Sequence, residues 1–347
     1  MKRTLSIVLS LCMLLSCAVF FTSCSAVTSK DWPVTVGGVT IDKEPQNVVV
    51  LNDCFADILS CIGYDIKMVG RSDECDQEFL QIVPSVGAAA SPDTGAIAAA
   101  ETDLVIADST LSAGAKAAIE ENGAKVLTLD VPSDEDALRA LYTDLGTALG
   151  GKETGSAKGS DGYDELFDML GTMNTATSNV VQTVAYLYLD SSGQLCTFVK
   201  GTLPYRFFNY NGNSNIFANQ TESAVNPQEL RIGSPNYIFY DSEEVLTALA
   251  ADEEYANLHA LTKNHTLMIP KKMFERYGAS TEQAVFDILN YIEKASKASA
   301  DEAMHDDTAA AATAAPAATE TPDVTEAPAP ADAAEDDSVI TFSVQDN

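Results

Sequence analysis

The sequence predicts an α/β protein of two lobes, each built on a parallel sheet, joined by one long connecting helix. Three observations carry this. Short strand-like runs such as Val48–Leu51, Asp103–Ala107 and Val126–Leu129 alternate with helical patterns, as in parallel βαβ units. The alternation stops near Gly150-Gly151 and resumes at Val180, with a single helical face between. The length of 347 residues suits about two domains, and a hydrophobic share of 46% supplies their cores.

The chain opens with Met1-Lys2-Arg3, an apolar run from Thr4 to Phe21, and Thr22-Ser23-Cys24-Ser25. Residues 1–23 read as a secretory signal peptide, and nothing later approaches the about 18 apolar residues of a membrane span. Thr-Ser-Cys resembles a bacterial lipobox, whose cysteine is lipidated and becomes the new N-terminus. Phe21 departs from the usual aliphatic residue there. Leu14-Leu15-Ser16-Cys17 fits that position better, but cleavage there leaves Ala18-Val19-Phe20-Phe21 at the mature end. Cys24 is therefore the expected lipid attachment, with 24–31 as an anchor linker; two acyl chains suffice for stable anchoring. The body is expected outside the cytoplasm, anchored to the outer face of the cell membrane.

Residues 32–151 form the first lobe. Alternating segments around Gly37-Gly38 signal a hairpin. Val48–Leu51 is a strand buried on both faces, and Phe55, Ile58, Leu59 and Ile62 mark a helix ending at Gly63. Ile66–Gly70 is the next strand, Thr94–Ala100 a short helix, Asp103–Ala107 a third strand and Ser112–Asn122 a helix closed by Gly123. Val126–Leu129 and a helix over Asp134–Leu149, with Ser133 as N-cap, complete the lobe. Residues 152–179 are the connecting helix. Tyr163, Leu166, Phe167, Leu170 and Met173 share its face, while Gly155, Gly159 and Gly162 weaken its first turns, so regular helix is expected only near Asp161. Residues 180–298 form the second lobe, with strands Val184–Leu189, Leu195–Val199, Tyr237–Tyr240 and Thr266–Ile269 and helices Glu243–Ala251 and Thr281–Lys297. Residues 299–347 turn to Ala, Pro, Thr, Asp and Glu. They cannot offset ordering entropy and are expected to be disordered. Val339–Val344 is either an added edge strand or the sticky end of a tail.

Charge narrows the function. Lys and Arg number 20 against 51 Asp and Glu, a net −31, and the body without leader and tail stays near −21. No basic stripe exists to hold a nucleic-acid backbone or an anionic lipid surface. Seven cysteines, three of them within the first 24 residues, do not make a disulfide scaffold. There is no Gly-x-Ser-x-Gly elbow, phosphate-cradling loop, Cys-x-x-Cys or His-Glu-x-x-His, so no enzymatic activity is expected. His259, His265 and His305 do not cluster, and no resident metal or cofactor is expected.

The segments WPVTVGGVTIDKEPQNVVVL, ADILSCIGYDIKMVGRSDEC and IAAAETDLVIADSTLSAGAKAAIEENGAKVLTLD are joined later by PQELRIGSPNYIFY and LTALAADEEYANLHALTKNHTLMIP. In order and spacing this set resembles the solute-binding proteins of bacterial ABC importers for ferric siderophores, haem and cobalamin (class III periplasmic binding proteins), over about residues 32–296. The resemblance implies two Rossmann-like lobes, a rigid connecting helix, a ligand cleft between the lobes and modest closure. RSDECD is similar to a segment of the cobalamin-binding branch, whose following Tyr-Pro is Gln77-Glu78 here. Family members usually carry one glutamate per lobe that pairs with arginines of the permease. Those positions fall at Gly95 and Gln228, leaving Asp93 and Glu229 as substitutes for permease docking.

In open parallel sheets ligands sit beyond the carboxyl ends of strands. That rule selects Asn52, Asp53 and Cys54, then Arg71 to Asp76 with Arg71, Asp73, Glu74 and Cys75, then Asp108, Ser109 and Thr110, and in the second lobe Asp190, Ser191 and Ser192 and the stretch from Lys200 to Asn215. Arg71 suits a carboxylate, phosphate or catecholate oxygen, or else pairs with Asp73 or Asp53. Lys200, Tyr205, Arg206 and Tyr210 belong to the densest aromatic and basic cluster in the chain and suit a large flat or macrocyclic ligand, facing Arg71 across the gap. Phe207 or Phe208 is core. Asp73, Glu74 and Asp76 read as a solvated acidic loop or a hard-cation site. Cys54 and Cys75 follow adjacent strands about 5 Å apart; a disulfide, free thiols or contact with a metal-bearing ligand all remain open. Cys61 lies about 10 Å along the helix from Cys54 and cannot bridge to it.

The expectation is an extracytoplasmic, monomeric solute-binding lipoprotein. It would capture a ferric siderophore, cobalamin or related metal chelate and hand it to an ABC permease. The alternative is a surface interaction or sensor protein on the same fold that does not couple to a permease.

Overall fold

The computed structural model describes residues 30–175 and 181–313, with side chains through Ala298. The signal peptide, Cys24, the end of the connecting segment and Val339–Val344 lie outside the described residues. The chain divides into two units, Met1–Lys297 and Ala298–Asn347. Both lobes belong to the first; of the second only the run of one helix is described.

A hairpin of β1 (Val34–Val36) and β2 (Val39–Ile41) opens the first lobe. Gly37 and Gly38 turn it at φ +54° and +76°, the left-handed region that a two-residue hairpin turn requires. Then come β3 (Val48–Val50), α1 (Asp53–Cys61), β4 (Met68–Arg71), α2 (Thr94–Ala99), β5 (Leu104–Ala107), α3 (Ala113–Glu121), β6 (Lys125–Thr128) and α4 (Glu135–Gly150). The sheet order is β4-β3-β5-β6, all parallel. Asn52 caps α1 by accepting from Phe55 N, and Ser112 caps α3. Asp134, not Ser133, caps α4: its carboxylate accepts from Ala137 N while Ser133 donates to it. A carboxylate is the better partner for the positive end of a helix.

The connecting helix does not wait for Asp161. A π turn over Gly151–Gly155 leads straight into α5 (Ser156–Thr175). The glycines that lower helix propensity are what allow α4 and α5 to touch. A Cβ on Gly159 would stand 2.8 Å from the carbonyl carbon of Tyr142, closer than real Cβ atoms come. Gly146 and Gly155 face each other just as tightly. Tertiary packing thus overrides the propensity that argued for a late start.

The second lobe contains β7 (Thr183–Leu189), β8 (Leu195–Cys196), α6 (Leu203–Asn209), β9 (Ser214–Asn215), α7 (Pro227–Gly233), β10 (Tyr237–Tyr240), α8 (Glu243–Ala251), α9 (His259–Thr262), β11 (Thr266–Met268) and α10 (Ala279–Thr313). The sheet runs β11-β10-β7-β8, with β9 also on β7. All pairings are parallel except β7 with β8. That strand is shorter than expected because Asp190 accepts from Ser192 N and Gln194 N and folds a hairpin. Thr197 and Lys200 then bond the backbone of Ser223 and Gln220 instead of the sheet. The last helix passes the expected boundary at Ser299 and runs to Thr313; its alanines have the highest helix propensity of any residue.

Strand alternation sorts the cores. Val48 and Val50 belong to a central core, Val49 and Leu51 to one on the far face of the first sheet. Tyr186 and Phe239 join the same central core, while Ala185, Leu187 and Ile238 face a third core on the outer side of the second sheet. The central core therefore draws residues from both lobes and from α5. Burying that shared surface opposes any wide opening of one lobe against the other.

Candidate ligand-binding site

A cavity of about 620 Å³ opens where the lobes meet, within the roughly 300–1,000 Å³ of small-molecule sites. One wall is α6 and the turn before it. Thr202 caps the helix through Tyr205 N, and Leu203, Phe207 and Phe208 are buried inward. Helical spacing then leaves Tyr205, Arg206, Asn209 and Tyr210 on the cavity side, with Lys200 at the rim. The opposite wall is the start of α4, Asp134 and Glu135, with Asn174 from the end of α5. Arg206 pairs with Glu135 across the two walls. Its guanidinium lies 5.4 Å from the Phe167 ring centre and 6.0 Å from that of Tyr210, whose hydroxyl it reaches at 3.4 Å. Tyr205 donates its hydroxyl to Ala218 O at 2.9 Å, so it offers the cavity its ring.

Beside this cavity the lobes are bolted together. Arg276, beyond β11, has only 5% of its side chain exposed; it bonds Asp53 at 3.2 Å and also pairs with Asp76, which Lys272 pairs in turn. Burial pushes the Asp76 carboxyl up, but the hydrogen bonds from Lys272 and Arg276 outweigh it and hold it below its ordinary value. Asp57, fully buried on α1, accepts from Ser280 N at 2.9 Å and Ser280 Oγ at 2.6 Å. It thereby caps the first turn of α10 from the other lobe, and burial raises its carboxyl. Tyr142 donates to Tyr277 O at 2.8 Å. A second opening of 410 Å³ lies along the same seam, between Asp76–Phe79 and Pro270–Gln283.

The residues selected from the sequence are placed as follows. Lys200, Tyr205, Arg206 and Tyr210 come together on the larger cavity. Arg71 does not face them. Its guanidinium donates to Leu80 O at 3.0 Å, Val83 O at 3.1 Å and Ser72 O at 3.2 Å, and so serves the loop after its own strand. Neither of its expected carboxylate partners holds it. Asn52 bonds Asp108 at 2.7 Å, and Asp53 bonds Arg276. Asp73 accepts from Ser85 and Glu74 from Ala89 N; both pin the loop that follows. Cys54 and Cys75 are buried free thiols. Burial pushes Cys54 well up and Cys75 up to about 11, which keeps both protonated. Asp93 caps α2 through Gly95 N and Ala96 N, and Glu229 stands exposed in the first turn of α7. Among the described residues no group of three or more His, Cys, Asp or Glu gathers as a metal site.

Asp134, Glu135, Asn174, Lys272 and Arg276 were not selected from the sequence. The strand-end rule applied to β6 and β11 reaches four of them, since each follows a strand within eight residues. Asn174 had no signal, because it arrives through the packing of α5.

No protein-family model matches the chain. A curated relative, the Fe(3+) dicitrate-binding periplasmic protein FecB of Escherichia coli (strain K12), is 38% identical over 95 residues, 24% of this chain and 30% of the relative. The match thus spans under a third of that relative's length. Among solved structures, a possible iron-binding (periplasmic solute-binding) protein of Staphylococcus epidermidis ATCC 12228 aligns with TM-score 0.57 at 14% identity, covering 72% of this chain and 99% of that one. The iron uptake ABC transporter substrate-binding protein PiuA of Streptococcus pneumoniae aligns with TM-score 0.54 at 17% identity, covering 77% and 100%. The fold is that of the periplasmic solute-binding proteins. The resemblance read from the sequence thus has its counterpart both in a curated relative and in solved structures.

Proposed function

We propose that this protein is an extracytoplasmic solute-binding protein that captures a ferric siderophore, cobalamin or related metal chelate and delivers it to an ABC importer, acting as a monomer anchored through Cys24 and not as an enzyme. The observation that carries this is the cavity lined from both lobes by Lys200, Tyr205, Arg206 and Tyr210 on one side and by Asp134 and Glu135 on the other. Aromatic faces with a few charged tips suit a bulky chelate. The lobes share a core and three polar bolts, which suits a receptor that closes little on its ligand. The iron-related names of the relatives support the ligand class. The test is a titration of the purified protein, lacking residues 1–23, with ferric citrate, a ferric hydroxamate siderophore, haemin and cyanocobalamin, followed by absorbance and thermal melting. Saturable binding of one compound with a raised Tm is expected; no binding of any would overturn the proposal.

One observation favours a second reading, a surface sensor without a permease. The carboxylate of Asp93 is committed to capping α2, so the first lobe presents it less freely to a permease arginine. Co-purification with a permease decides between the two.

A further inference from the structure

The pair between Arg206 and Glu135 differs from the bolts beside it. Arg276 is 5% exposed, whereas the side chains of Arg206 and Glu135 are 44% and 38% exposed and both line the cavity. A pair this wet contributes only about 0.2–1 kcal/mol, so an incoming group can displace it cheaply. Arg206 keeps its place without Glu135, because Phe167 and Tyr210 cradle the guanidinium. Asp134 is already committed, accepting from Ala137 N at 2.9 Å and from Ser133 at 3.0 Å. Lys200 has no ion-pair partner among the described residues. Once Glu135 swings away, the cavity presents two cations against one occupied carboxylate.

We propose that Glu135 is a specificity-determining residue: an internal competitor that holds Arg206 until a polyanionic chelate exchanges for it, the chelate's oxygens then bridging Arg206 and Lys200. This rests on the solute-binding reading and deepens it, since it selects carboxylate-bearing ferric chelates over a ligand with an amide periphery. The physical need is clear. The body carries a net charge near −21, which repels an anion at long range. That field is screened within about 8–10 Å at physiological salt, so a local pair of cations must supply the attraction. Glu135 keeps Arg206 neutralised when no strong anion is present, so weak anions gain little.

The test is isothermal titration of wild type, Glu135→Gln and Arg206→Gln with ferric citrate and with cyanocobalamin. Ferric citrate is expected to bind Glu135→Gln about two- to fivefold more tightly than wild type, the gain shrinking at high salt. Arg206→Gln should bind it about tenfold or more weakly. Cyanocobalamin, which presents no carboxylate to Arg206, should gain less from Glu135→Gln than ferric citrate does, and Tm should stay within about 2 °C. Equal or weaker ferric citrate binding by Glu135→Gln overturns the competitor role. So does a large loss of Tm, which would make the pair a brace. Binding of cyanocobalamin without ferric citrate overturns the ligand class while leaving the solute-binding reading intact. Failure of both probes and of the wider panel removes that reading itself, and this inference with it.

Discussion

Arg276 should be worth more as a stranded charge than as a missing one. Its guanidinium is 5% exposed, while Asp53 and Asp76 are 30% and 45% exposed. Replacing Arg276 by Met leaves two carboxylates that water can reach, one of which keeps Lys272. The cost then lies just above that of an exposed pair, about 1–2 kcal/mol. The double variant Asp53→Asn, Asp76→Asn leaves the buried cation with no counter-charge. Breaking a buried pair from one side costs about 3–5 kcal/mol. For a body of this size each kcal/mol moves Tm by about 2–4 °C, so Arg276→Met should lose roughly 2–8 °C and the acid double variant roughly 6–20 °C. Combining all three substitutions should recover part of the larger loss, because the stranded charge is gone. Calorimetric melting at pH 7 measures this. The pH profile supplies a second arm. Asp76 has a lowered carboxyl in the folded state, so its stabilisation is full above the unfolded value of about 3.9 and is lost as pH falls through the lower folded value. The gap between wild type and the double variant should therefore narrow below about pH 4. An acid double variant no less stable than Arg276→Met, or a gap that does not change with pH, would refute the reasoning.

Two further outcomes follow from the packing. Gly159→Ala drives a Cβ into the Tyr142 backbone and should cost about 1–3 kcal/mol or more, whereas Gly171→Ala on the same helix meets nothing within 4 Å and should gain about 0.5–1 kcal/mol. Paired melts with opposite signs are expected, and a shared sign would count against close packing of α4 on α5. Asp57 is raised by burial against the hydrogen bonds of Ser280, so its contribution is full below about pH 3.9 and lost as pH rises through its folded value. Asp57→Asn should accordingly gain stability relative to wild type between pH 4 and pH 7; a flat difference in Tm would show that Asp57 stays charged at little cost.

Much of this molecule was legible along the chain. Val48–Val50 is an apolar run that only a doubly covered strand can bury, and Gly37-Gly38 marks a turn that few other pairs allow. The helices after Asn52 and Ser112 were expected, but their caps were not read from the sequence, and the one cap that was, Ser133, gave way to Asp134; Asn52 and Ser112 each accept from the backbone N–H three residues on. The aromatic and basic segment 200–210 stood out by composition, but the helix Leu203–Asn209 within it was not expected, and it is that helix which turns Tyr205, Arg206 and Tyr210 one way and Phe207 and Phe208 the other. What the chain could not show is which charges meet. Arg71 ends a strand and Arg276 follows one, yet the first is absorbed by carbonyls of its own loop and the second bridges to carboxylates of the other lobe 200 and 223 residues away in sequence. Glu135 reads as an ordinary first-turn acid until α4 is laid beside α6. Local hydrogen bonding and strand alternation act within a few residues, so sequence determines them. The pairing of charges depends on where each lobe's loops stand once the shared core has formed, and only the tertiary structure decides that.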